Sequence, residues 1–154
     1  MFGKLTAIAA FSALLLGQSI ASADEEKAEH KSAHGGKLNA IRTCENGHAE
    51  VKVEGGLLQL WFVGGGSDTL KAVRVPDQEI ALAVTLEGAK EAKPLVLKAK
   101  PNALAEEAAG DCSHFEGEAE WLKGAKKFVA IATVTFKGKK QELRIEYPDG
   151  YDPD

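Results

Sequence analysis

Six side chains in the sequence can do chemistry beyond solvation and packing: His30, His34, His48 and His114, with Cys44 and Cys112. Neutral imidazole is a common ligand for Zn(II) and suits Cu(II). A thiolate is a zinc ligand, and in an oxidising compartment two thiols form a disulfide instead. His34 precedes Gly35-Gly36, where the backbone can turn sharply and re-aim the imidazole. His48 opens a stretch in which Ala49, Val51 and Val53 alternate with Glu50 and Lys52, so it points to the polar side. His30 lies in a charged stretch without apolar period and reads as a spare donor. Cys44 stands four residues before His48, and Cys112 two before His114. Together these four have the ligand types of a Cys2His2 zinc site, but C-x3-H and C-x-H are not zinc-finger spacings.

The elements that must position these groups are short strands. Lys37–Ile41, 48–53 and the apolar run Leu57–Val63 come first, separated by turn signals such as Gly55-Gly56. Alternation continues over 80–86, 95–99 and 115–121, and a β-rich run covers 127–136. Lys137-Gly138 turns that run back into Leu143, Ile145 and Tyr147, a hairpin signature. Only 102–109 has helical composition. Seven to eight short strands with glycine-rich turns predict an all-β fold, an antiparallel immunoglobulin-like β-sandwich.

Catalytic signatures are missing from the pattern. No G-x-S-x-G elbow occurs, and Gly64-Gly65-Gly66 lacks the Lys-Ser/Thr and the helix of a phosphate loop. No nucleophile–base pair and no acid–base carboxylate pair emerges, so the sequence does not read as an enzyme. The net charge of −4 over 154 residues gives no support to nucleic-acid binding.

The first 23 residues have the three parts of a secretory signal peptide. Lys4 is followed by the apolar run 5–16, and Ala21-Ser22-Ala23 is an A-x-A cleavage pattern before the acidic 24–26. The apolar run is shorter than the ~20 residues that span a bilayer, and no later stretch is longer. The expected organisation is a signal peptide over 1–23, a flexible charged arm over 24–33, a β-sandwich over 34–147 and an acidic tail over 148–154. The expected location is periplasmic or secreted, with no membrane span after cleavage. The only methionine leaves with the signal, which disfavours Cu(I) carriage.

The run His34-Gly-Gly, a short strand, Gly47-His48-Ala49-Glu50-Val51 and then Leu57-Leu58-Gln59-Leu60-Trp61-Phe62 resembles a known periplasmic module. It is similar to the N-terminal domain of the adaptor (membrane-fusion) subunits of heavy-metal efflux pumps, which also occurs as small free-standing exported proteins. The resemblance spans about residues 34–147, with its motifs near the start. It implies a β-sandwich that binds zinc, copper or a related metal, with His34 and His48 as ligands. It further implies metal buffering, sensing or handover, with an envelope efflux component as partner. The coiled-coil and lipoyl-like parts of a pump adaptor do not fit in this length.

Cys44 and Cys112 depart from that pattern. An exported location favours a disulfide between them, which chain entropy values at about 4 kcal/mol. Ligation by both thiolates is the other arrangement. Either one brings 44–48 beside 112–114, and so adds His114 to His34 and His48 as a third metal ligand, with Asp111 or Glu50 nearby. The expectation is therefore a Zn(II) or Cu(II) site at His34, His48 and His114. The competing expectation is a metal-free envelope module that serves interaction or structure.

Overall fold

The computed structural model describes residues 30–153. The expected signal peptide, most of the charged arm and the last residue of the tail lie outside the described residues.

Among the described residues eight antiparallel strands form: β1 (Lys37–Ile41), β2 (Thr43–Glu54), β3 (Leu57–Val63), β4 (Glu79–Leu86), β5 (Lys93–Ala99), β6 (His114–Glu118), β7 (Phe128–Phe136) and β8 (Lys139–Tyr147). The β2–β3 and β7–β8 hairpins close as their residues dictate. Gly55 and Gly56 in the first, and Lys137 and Gly138 in the second, all take positive φ, as a two-residue hairpin turn with the natural strand twist requires. The 102–109 stretch yields one 3-10 turn, Ala103–Ala105. A second, Glu120–Leu122, replaces the strand expected through Trp121, because it sends Leu122 into the core.

All eight strands join in one sheet, ordered β1-β2-β3-β6-β5-β4-β7-β8. The all-β, antiparallel expectation is met, but the immunoglobulin-like sandwich is met no further than that. The ladder is continuous, and its halves join at β5–β6 through only two residue pairs. The sheet curls until β1 approaches β8, nearly closing on itself. The alternation seen in the sequence sets the inner face: Ala49 and Val51, Leu58, Leu60 and Phe62, Ile80 and Leu82, Phe128 and Phe136, Leu143 and Ile145 all pack in one core. Phe62 is its centre, with Phe115 at 5.7 Å edge-on and Phe136 at 5.8 Å.

The β1–β8 seam is filled by polar groups and by the tail. Asn39, buried in the seam, accepts from the Glu146 amide at 2.8 Å. The Ala40 amide donates to the Tyr151 carbonyl at 2.7 Å. The tail thus runs beside β1 at Tyr151, and the Asp152 carboxylate comes near the cysteine of β2.

Candidate metal centre

His48 and Glu50 of β2 face outward, as the alternation predicts, but the chain ends cover them. Glu50 is buried on this outer face. Its carboxylate accepts from the amides of Ala33 (3.0 Å), His34 (2.7 Å) and Gly36 (2.8 Å), and from His34 Nδ1 at 2.9 Å. One carboxylate therefore bonds a whole turn of the arm, and charge-assisted bonds of this kind are the strong ones. Gly36 is required there, since a Cβ would come within 2.7 Å of the Val51 carbonyl. With 33–36 pinned over Glu50, the arm places His30 over His48, the rings 4.9 Å apart and inclined at 69°.

Cys44 reaches the same place through an irregularity in β2. Ala40 pairs with His48, yet Ile41 pairs with Thr43, so residues 44–47 bulge out of the β1–β2 ladder. Asn46 fastens the bulge by donating to the Ile41 carbonyl at 2.8 Å and to Gln141 Oε1 at 3.0 Å. Gly47 packs against the Phe136 ring with no room for a Cβ. The bulge folds Cys44 back towards His48, which four residues of regular strand would have kept about 13 Å away.

His30, Cys44 and His48 consequently offer three ligand atoms within 4.8 Å of one another. They line a cleft of about 360 Å³ with Asp149 and Asp152 at its edge. The Asp152 carboxylate lies 3.2 Å from Cys44 Sγ. His48 is buried, and its Nδ1 meets the Gly64 carbonyl at 3.2 Å. A carbonyl only accepts, so this bond assigns the proton to Nδ1 and leaves the lone pair on Nε2. That is how ligand histidines are oriented by their surroundings. Burial pushes the His48 pKa below its ordinary value, against the opposing Gly64 bond, which favours the neutral ring that a metal needs.

The expected ligand set is distributed differently. His48 is in the cluster, but His34 and His114 are not. They sandwich Trp61, with ring centroids 4.3 and 4.6 Å from the indole and planes within 9° of it. An indole between two imidazoles keeps them from one ion. His114 Nε2 is buried without a hydrogen bond, 3.4 Å from Glu116 Oε1, and burial lowers its pKa.

The Cys44–Cys112 disulfide is corrected too: the two do not bond to each other. Strand β3 runs between them, with His48 paired to Val63 on one side and Ser113 bonded to Phe62 on the other. Two strand spacings of about 4.8 Å exceed the ~7 Å Cα reach of a disulfide. Cys112 is instead a buried thiol that donates to the His114 carbonyl at 3.1 Å, its pKa raised by burial. The Cys2His2 set fails for the same reason. Asp111 pairs with Arg74 at 3.0 Å, and Glu50 serves the arm.

His30 is the member of the cluster that the sequence does not mark as a ligand: its stretch has no apolar period, and nothing local shows that Glu50 pins the residues after it. Cys44 enters the sequence reading as a ligand only together with Cys112. Cys44 carried one usable signal, its place four residues before His48 with Gly47 between.

Comparison with known proteins finds no matching family model, no matching curated protein and no matching solved structure.

Proposed function

We propose that this chain binds a transition metal ion through His30, Cys44 and His48. The observation that carries the reading is the convergence of two imidazoles and a thiol within 4.8 Å in an open cleft. Two imidazoles and a thiolate with a neighbouring oxygen suit tetrahedral Zn(II). The same His2Cys set with a weak axial oxygen suits Cu(II). The role in this reading is exported: buffering, sensing or handover of the metal to an envelope efflux component. The signal-peptide pattern and the resemblance to the His-Gly-Gly module support that location, and the eight antiparallel strands are read as a sandwich whose two halves stay joined at β5–β6.

The test is a competition titration of the tagless chain with Zn(II) and Cu(II), beside H30A, C44S and H48A. Tight binding of one ion, weakened in all three variants, supports the reading. Cu(II) bound at Cys44 also produces a thiolate-to-copper absorption that C44S lacks. Binding no tighter than millimolar, or binding indifferent to the three substitutions, overturns it and leaves a metal-free envelope module.

A further inference from the structure

We infer that Asp152 is a fourth ligand of this site and that metal binding fastens the C-terminal tail across the β1–β8 seam. This rests on the metal site proposed above.

The geometry points to coordination. A zinc ion holds a thiolate at about 2.3 Å and a carboxylate oxygen at about 2.1 Å, so tetrahedral angles put the two donors ~3.6 Å apart. Cys44 Sγ and Asp152 Oδ1 stand at 3.2 Å as a hydrogen-bonded pair, and Asp152 lies outside the 4.8 Å group of His30, Cys44 and His48, so coordination would draw the carboxylate inward. Asp152 is delivered there by ordered backbone. Tyr151, one residue before it, bridges to Asn39 and accepts from the Ala40 amide, and its ring lies 5.4 Å from the Arg144 guanidinium. Asp149, the other carboxylate of the cleft, is engaged elsewhere, in an ion pair with Lys127 at 3.0 Å.

The chain then contributes to one ion from three places: His30 from the arm, Cys44 and His48 from β2, and Asp152 from the tail. Sites closed by four protein ligands are characteristic of structural zinc, whereas catalytic sites leave a position open. An ion here would tie both ends of the domain over the seam that the sheet leaves incompletely paired. Loss of the ion would loosen the tail at Asp152, while the Tyr151 backbone bond, its ring on Arg144 and the Asp149–Lys127 pair still hold the residues before it.

The experiment is Zn(II) titration of the wild-type chain, D152N, D152H and D149N, with hydrogen exchange of the tail measured with and without Zn(II). The expected result is an affinity at least ~10-fold lower in D152N, largely restored in D152H, and little changed in D149N. Zn(II) should slow exchange over 149–153 in the wild type and not in D152N, while exchange in β2 and β3 stays the same. Equal affinity for D152N and wild type overturns the inference and leaves the three-ligand site standing. An equal loss in D149N also overturns it, since local charge rather than coordination then explains the effect. Failure of the wild type to bind overturns this inference and the metal reading together.

Discussion

Glu50 and His34 meet through two contacts at once: the carboxylate accepts from the His34 amide at 2.7 Å and from its Nδ1 at 2.9 Å. The residue that the resemblance marks as a metal ligand is thereby committed to building the arm, and the arm carries His30 to the site. Glu50 acts on the metal centre through position alone.

Glu50→Gln should weaken metal binding without removing any ligand. An amide has one acceptor oxygen where the carboxylate has two, and it brings an N–H against the Ala33, His34 and Gly36 amides. Affinity should fall ~10-fold or more, the size seen when groups that orient ligands are removed. Hydrogen exchange over 33–36 should quicken in the same variant. Unchanged exchange with unchanged affinity would remove Glu50 from this role.

The two cysteines should react very differently. Cys112 is buried with its pKa raised, so it should resist a thiol reagent in the native state. Cys44 lines the cleft and should be modified first, and Zn(II) should protect it. Mass mapping of the labelled chain reads both outcomes, and native labelling at Cys112 would contradict the burial.

Gly47→Ala should be costly for its size. Its Cβ would overlap the Phe136 ring, and overpacking of this kind costs about 1–3 kcal/mol. Metal affinity should drop as well, because the bulge that returns Cys44 to His48 is displaced. Adding Phe136→Leu should recover part of both losses, measured by denaturant unfolding and Zn(II) titration.

Stability of the metal-free protein should fall on acidification. The pKa values of His48 and His114 are both lowered by burial, so below their ordinary value of 6.5 the unfolded chain takes up protons that the folded chain resists. Their contribution is fully present above 6.5 and is lost as pH falls from there towards the lower folded values. Thermal unfolding at pH about 7.5 and about 5.5 should show the drop, and His114→Phe, which keeps a ring on Trp61, should reduce it. An equal drop in His114→Phe would exclude His114 as a source.

Much of the fold was legible because strand alternation is a local signal. Ala49, Val51 and Val53 announce their buried face without reference to any other part of the chain, and Lys137-Gly138 announces its hairpin through turn chemistry. The continuity of the sheet was not legible, since the pairing of β4 with β7 and the meeting of β1 with the tail join residues far apart in the chain. The site was half legible. His48 was identified, while His34 was assigned to it through the resemblance and His114 on the premise that Cys44 and Cys112 are neighbours, and β3 runs between those two.

By itself the sequence determined the residue types that can bind a metal, the strands that carry them and the outward direction of His48 and Glu50, because alternation and turn propensity act over a few residues. Only the tertiary structure decided which of them converge. A four-residue bulge folds Cys44 back to His48, a buried carboxylate recruits the arm and His30, and the curled sheet brings Asp152 from the far end of the chain. Each of these depends on contacts between segments, and such contacts leave no periodic mark in the residues that make them.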